Sequence, residues 1–194
     1  MDELEDGGDS ALLNLRDKRL AEMKRAQSEK IDNLQKGHGR YAEICQDDFL
    51  KDVLASKWAI VHFYHADFER CKIIDHHLSI LAPQHVEARF CKIDANKSPF
   101  FVQKLQVQVM PTVVLFKDGV AFGRLVGFDG LTEGLAKGKE NEFKTEALAQ
   151  WLGEAGIIKY EAQATEAEIE KFTWAGARAA AMVGFNDNDD DYDD

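Results

Sequence analysis

Between residues 40 and 156, short apolar runs alternate with stretches of helical periodicity, and the order in which they come leaves few architectures open. Residues 40–44 read as a short strand and 47–54 as a helix with an acidic first turn. Residues 58–64, Trp-Ala-Ile-Val-His-Phe-Tyr, have the length and the aromatic and β-branched content of a buried strand. Residues 71–81 carry Ile73, Ile74, Leu78 and Leu81 at helical spacing, and 86–93 return to strand. Ser98-Pro99 has the form of an N-cap followed by proline at the first helical position, opening a helix through Leu105. Strands at 113–116 and 120–126 are joined by Lys117-Asp118-Gly119, a hairpin of the Asp-Gly kind, and 145–154 closes as a helix ending at Gly156. The order β-α-β-α-β-α-β-β-α predicts an α/β fold, a mixed central sheet with helices on both faces.

One ordinary core with extensions is what 194 residues at 45% hydrophobic content can build. No run approaches the roughly 18 uncharged apolar residues of a membrane span. Residues 1–9 are acidic rather than basic and then apolar, so neither membrane insertion nor secretion is expected. Cys45, Cys71 and Cys91 contain no C-x-x-C pair, which argues against a disulfide framework or zinc ribbon and for a reducing compartment, the cytoplasm. The net charge of −11 belongs to the ends. Asp2, Glu3, Glu5, Asp6 and Asp9 lie in residues 1–9, and Asp187, Asp189, Asp190, Asp191, Asp193 and Asp194 in 186–194, with no Lys or Arg in either stretch. The other 24 acids are matched by 24 basic residues. Such charge runs cannot collapse and repel phosphates, so a disordered acidic head at 1–9 and a solvated acidic tail are expected, and nucleic acid is not expected as a partner. Docking of the tails on a basic partner surface stays open beside simple solvation.

Residues 10–36 contain no Gly or Pro and predict one long charged helix with Ser10 as N-cap. Its apolar stripe, Leu13, Leu20, Met23, Ile31 and Leu34, is too narrow for a core helix. It suits a partner groove, a coiled coil whose heptad line Gln27 interrupts, or docking on its own domain. Leu13, Leu20, Met23 and Leu34 are therefore candidate partner-binding residues. Gly37-His38-Gly39 stops the helix and is expected to act as a hinge. The organisation is then a head at 1–9, a helix at 10–36, an α/β domain at 40–156 and an extension at 157–194. Within these, 129–143 reads as a Gly- and Lys-rich loop, and 160–182 can carry a further helix.

The element order resembles that of thioredoxins, and three landmarks fall in register. The strand ending His62-Phe63-Tyr64 is followed, at the spacing of the active-site turn, by Asp67-Phe68-Glu69-Arg70-Cys71-Lys72. Val109-Met110-Pro111-Thr112 matches the loop that carries the family's cis-proline, and Gly127 matches the end of the fifth strand. The resemblance covers residues 40–156 and implies a degenerate redox site at Phe68, Glu69, Arg70, Cys71, Met110 and Pro111. An attacking cysteine sits exposed at a helix N-terminus, where the backbone N–H groups stabilise its thiolate. Phe68 occupies that place, Cys71 matches the shielded resolving position, and His62 stands where thioredoxins keep a buried Asp. Without a nucleophile a dithiol exchange cycle cannot run, so no enzyme is expected. A single-cysteine redox protein using Cys71 against peroxide or glutathione is the alternative, and it needs a low thiol pKa. Phe68 itself, an apolar side chain on an exposed turn, is expected to be covered by the Met110-Pro111 loop or by a partner.

The string over residues 63–78, the junction Lys36-Gly37-His38-Gly39-Arg40-Tyr41, Phe90-Cys91-Lys92-Ile93 and Val126-Gly127-Phe128 are similar to phosducin-like proteins, the thioredoxin domain-containing protein 9 group among them. That resemblance implies a cytosolic regulator of the chaperonin CCT/TRiC, acting on folding of tubulin and actin; a monomer without a cofactor is expected. The longer N-terminal helical domain with which phosducins hold G-protein βγ dimers is not found. A structural scaffold of a cytoskeletal complex is a further possibility. No metal is expected, since His62 and Phe63 alternate on one strand and His76 and His77 are adjacent rather than four apart.

Overall fold

The computed structural model describes residues 6–132 and 141–160, with side chains from Leu12 onward. Most of the acidic head, most of the 129–143 loop, the acidic tail and the helix expected at 160–182 lie outside the described residues. The elements run α1 (Asp6–Gln35), β1 (Ala42–Glu43), α2 (Phe49–Leu54), β2 (Trp58–Tyr64), α3 (Glu69–Leu81), β3 (Arg89–Asp94), a 3-10 turn (Ala95–Lys97), α4 (Pro99–Lys104), β4 (Thr112–Lys117), β5 (Val120–Val126) and α5 (Thr145–Glu154). The sheet order is β1-β3-β2-β4-β5. β3 runs parallel to β1 and β2, while β4 is antiparallel to both β2 and β5.

The period of two along β2 divides the core between the two faces. Ile60 joins Phe90, Leu115 and Leu125 under α3 and α5, through Ile74, Leu78, Leu148 and Leu152. Val61 and Phe63 join Val114 and Phe116 under α2 and α4, where Phe49 stacks on Phe101 at 3.9 Å between ring centroids. Helices therefore cover both faces, as the element order predicts. Two strands are shorter than expected. β3 begins at Arg89, not 86, because Pro83 follows the end of α3 and the chain turns through Gln84 and His85, whose N–H groups donate to Leu81 O. β1 keeps two paired residues, with Ile44 N–H donating to Lys92 O just beyond them.

The first helix starts at Asp6, four residues ahead of Ser10, so Ser10 is not its N-cap. Acidic residues early in a helix suit the positive end of its dipole. From Leu12 to Asp32 every residue of α1 is exposed, so the stripe is not buried on the domain over that length, although Ala26, Glu29 and Lys30 line a cleft that Pro83, Val86 and Glu87 close from the domain side. The larger correction is at its other end. Gly37 and Gly39 hold φ of 86° and 77°, the left-handed region where glycine is favoured, but the junction is a fixed corner rather than a hinge. His38 is buried: its Nδ1–H donates to Val86 O at 2.7 Å, and its Nε2 accepts from the Ser56 hydroxyl at 2.6 Å. Burial holds its pKa down, which keeps the ring neutral and so able to donate at one nitrogen and accept at the other. The Arg89 guanidinium, itself buried, donates through Nη1 to Gly37 O at 2.6 Å and to Arg40 O at 3.3 Å, and lies 3.8 Å from the Asp52 carboxylate.

Candidate functional site

β2 delivers the chain at Tyr64 to a short turn, and Phe68 is the extended residue (φ −91°, ψ 118°) from which α3 departs. Its carbonyl accepts the N–H of Cys71 at 3.0 Å, so the backbone is formed as for a helix-borne nucleophile while the side chain is a phenyl ring. That ring stacks on His65 at 4.6 Å and 23° and remains 46% exposed. Cover for one face of Phe68 thus comes from His65. Glu69 and Lys72 pair on the surface at 2.6 Å. Arg70 lies over the Phe128 ring at 4.6 Å and donates to Asn141 Oδ1 at 3.1 Å. Pro111 is cis and buried, as the landmark at that loop predicts, and its carbonyl accepts Gly127 N–H at 2.8 Å, tying the loop to the end of β5.

Cys71 sits one turn into α3 with 1% of its surface exposed, and its Sγ accepts from His65 N–H at 3.5 Å. Burial pushes its thiol up, with the Asp75 carboxylate adding in the same direction against the lowering effect of that hydrogen bond. The thiol therefore stays protonated, the opposite of what single-cysteine redox chemistry needs. Cys91, in the sheet, is pushed up to about 12 by burial. Cys45 is exposed. Insulin reduction driven by dithiothreitol should accordingly run at the uncatalysed rate with this protein. Phe68→Cys should restore only weak activity, because Glu69-Arg70 and His62 do not supply the surroundings of an active thioredoxin site. Turnover well above background that disappears in Cys71→Ser would overturn both expectations.

Beneath the turn lies a polar network that sequence reasoning missed. Asp75 Oδ1 accepts from the Tyr41 hydroxyl at 2.5 Å and from His62 Nδ1 at 2.9 Å, and its Oδ2 meets Lys92 Nζ at 2.9 Å. Burial works against the Asp75 charge, but the hydrogen bonds from His62, Tyr41 and Lys92 outweigh it and hold the carboxyl at about 2. Burial also holds His62 below the usual imidazole value despite the carboxylate beside it, so the ring is neutral with its proton on Nδ1. Its Nε2 is buried with no hydrogen-bond partner among the described residues. Lys92 Nζ also lies 5.6 Å and 4.9 Å from the rings of Tyr41 and Tyr64. A sequence signal for this was present: Asp75 falls on the same face of α3 as Cys71, Ile74 and Leu78, where an acid must find partners.

The other candidate residues lie apart on α1. Leu13, Leu20, Met23 and Leu34 are all exposed, and so are Leu12, Leu15 and Ile31. Leu12, Met23 and Leu34 fall eleven apart, as do Leu20 and Ile31, so the stripe runs nearly straight along the helix, a register that testing for heptads overlooks.

Sheet order, cis-proline loop and a buried cysteine one turn into α3 define a thioredoxin-fold protein whose attacking position is phenylalanine. The thioredoxin family model matches residues 40–137. Thioredoxin domain-containing protein PLP3A of Arabidopsis thaliana is 44% identical over 158 residues, 81% of this chain and 65% of that protein. Phosducin-like protein 3 of Drosophila melanogaster is 36% identical over 98% of this chain and 86% of its own length. Thioredoxin domain-containing protein 9 of Mus musculus is 40% identical over 79% of this chain and 66% of its own. The chain therefore spans about two thirds of the first and third of these relatives. It belongs to the phosducin-like branch of the thioredoxin family. Among solved structures, spinach chloroplast thioredoxin f in its short form superposes with a TM-score of 0.50 at 20% identity, over 61% of this chain and 96% of that one. A point-mutant thioredoxin from Halobacterium salinarum gives 0.50 at 18%, over 63% and 95%. These two structures support the fold alone.

Proposed function

We propose that this chain is a non-enzymatic adaptor of the cytosolic chaperonin CCT/TRiC, modulating the folding of tubulin and actin. The observation that carries the reading is α1, whose residues from Leu12 to Asp32 are exposed, with a straight apolar stripe, while its C-terminal end is held to the domain. A side-chain row of this kind is stable in water only where lysines, arginines and acids flank it, and it gains by burial in a partner groove. Phe68 supplies a second exposed contact on the domain, 46% open to solvent. Two contacts on one rigid body raise the local concentration of each at its own site, so that weak surfaces hold a large partner together. The protonated, shielded thiol of Cys71 supports a binding role over a redox one.

Three proteins test this: the full chain, a deletion of residues 1–36, and Leu20→Asp combined with Met23→Asp. Melting curves should show the domain intact in all three, because α1 is exposed up to Asp32 and the deletion spares His38. Titration against purified chaperonin should show both variants binding severalfold more weakly than the full chain. Unfolding of the domain on deletion would make α1 part of the core, and unaltered binding by both variants would place the contact elsewhere.

A further inference from the structure

The outer part of α1 carries a charge opposite to that of the whole protein. Residues 10–27 hold five cations, Arg16, Lys18, Arg19, Lys24 and Arg25, against two acids, Asp17 and Glu22, in a chain of net charge −11. Helical spacing sorts these charges onto two sides. Lys18, Glu22, Arg25 and Glu29 follow one another at intervals of four, three and four, so the side away from the stripe carries a row that alternates in sign. One step of that row is closed by Arg25 Nε, which donates to Glu29 Oε1 at 3.0 Å. The stripe side is different. Arg16 lies four residues before Leu20 and seven before Met23, Arg19 four before Met23, and Lys24 four after Leu20 and seven before Ile31. Asp17, seven residues before Lys24, is the one acid of residues 12–24 that stands at the margin of this side. Arg16, Asp17, Arg19 and Lys24 are all exposed, and among the described residues none of them forms an ion pair. Lys30 lies further along the same side, but it shares the cleft with Glu29 and Glu87 and so has acids at hand.

A helix face that is apolar along its centre and cationic around it is complemented by an apolar floor with carboxylates at its rims. On the adaptor reading of α1, on which this rests, we propose that residues 12–24 seat in a groove of that kind on the partner protein. Its carboxylates meet Arg16, Arg19 and Lys24, and Leu13, Leu20 and Met23 cover its floor. The segment spans about 18 Å at 1.5 Å per residue. The alternating charge row on the opposite side satisfies itself and stays in water. The acids of residues 1–9 all precede Leu12, so the groove's carboxylates lie against the middle of the helix rather than its start. An anionic membrane also attracts cations, but a helix lying in a bilayer interface carries a broad apolar face with aromatic anchors, whereas α1 has a narrow stripe and no Trp, Tyr or Phe. A second copy is a poorer occupant as well. Parallel pairing sets Arg16 against Arg16 on the seam, and antiparallel pairing about Leu20 sets Arg16 against Lys24.

The test reverses charge on either side of the helix in the full chain. Arg16→Glu with Arg19→Glu and Lys24→Glu alters the stripe side, and Lys18→Glu with Arg25→Glu is the control on the other. The three corresponding Gln substitutions, which keep helix propensity, are read beside the first set and in its place if circular dichroism shows helix lost. Against purified chaperonin at about 0.15 M salt, the stripe-side Glu variant should bind about tenfold or more weakly, and the control within about twofold of the parent. Parent binding should weaken sharply between about 0.05 M and 0.5 M salt, and this dependence should flatten in the stripe-side variant. Equal losses on both sides, or no loss on the stripe side, overturn the proposal and leave the adaptor reading in place. A parent chain that does not bind chaperonin at all overturns the adaptor reading instead, and a second probe then decides the groove. The isotope-labelled full chain is titrated with a two-helix hairpin peptide whose leucine groove is rimmed by glutamates, and with the same hairpin rimmed by lysines. Amide shifts over residues 12–24 with the glutamate hairpin alone support the proposal, and no shifts, or equal shifts with both, overturn it. Tighter binding to vesicles containing phosphatidylserine, or sedimentation as a dimer that the stripe-side variant dissolves, overturns it in favour of a membrane or a second copy.

Discussion

Asp75→Ala should destabilise the domain by about 2 to 4 kcal/mol, the largest loss expected for one polar side chain here. The substitution removes the acceptor shared by the Tyr41 hydroxyl, His62 Nδ1 and Lys92 Nζ, which strands the Lys92 ammonium and leaves Tyr41 and His62, 2.9 Å apart, only each other. Breaking a fully buried pair costs about 3 to 5 kcal/mol, and this figure is set lower because Lys92 keeps a quarter of its side chain in solvent. Asp75→Asn, which keeps an acceptor, should cost less. The pH dependence has a definite sign. With a folded pKa of about 2 against an unfolded value near 3.9, Asp75 contributes stability that is complete above pH ~4 and is lost as pH falls through 2. His62 is held below its unfolded value, so the unfolded chain takes up that proton first and stability starts to fall below pH ~6.5. Urea unfolding at pH 7, 5 and 3 checks both limbs: the lower one should flatten in Asp75→Ala, and an unchanged lower limb would show that the network does not hold this carboxylate.

Arg89→Ala should cost about 2 to 3 kcal/mol and also release α1. Its guanidinium caps Gly37 O and Arg40 O, two carbonyls at the corner where no strand or helix pairs them, and loss of a charged donor leaves both unmet. One consequence is specific to the corner. With spin labels on the exposed native Cys45 and on Glu22→Cys, pulsed dipolar spectroscopy should give a narrow distance distribution in the Arg89 protein and a broad one in Arg89→Ala. Cys71 and Cys91 are buried and should stay unlabelled. Equally broad distributions in both would mean that α1 swings freely whatever Arg89 holds.

These two residues also mark where sequence reading stopped. The strands β2, β4 and β5 and the helices α3 and α5 were legible because burial writes a period of two or of 3.6 into consecutive residues. Phe68 and Cys71 could be placed through the register that the stretch after Tyr64 shares with the thioredoxin active-site turn; periodicity alone began the helix at 71, two residues inside its start at Glu69. Gly37-His38-Gly39 was misread as a hinge because two glycines flanking one polar residue look like a break. The groups that fix it are Ser56, Val86 and Arg89, which lie 18, 48 and 52 residues away from their partners in sequence. Periodicity carries no trace of such contacts. The Asp75 network was half legible: the acid stood on the buried face of α3, but Tyr41 and Lys92 reach it from β-sheet neighbours that only the strand order brings together.

A helix of thirty residues extends about 45 Å at 1.5 Å per residue, and it leaves the domain at an angle set by the His38 and Arg89 contacts. Fixed in this way, it is a ruler. A change of about 10° at the corner moves the far end by roughly 8 Å, more than one helical turn and enough to carry Leu13 out of any groove made for it. A partner that reads both the domain and Leu13 therefore selects for spacing as well as chemistry, and an assembly whose two acceptor sites drift apart or together by a few ångströms lets go of one of them.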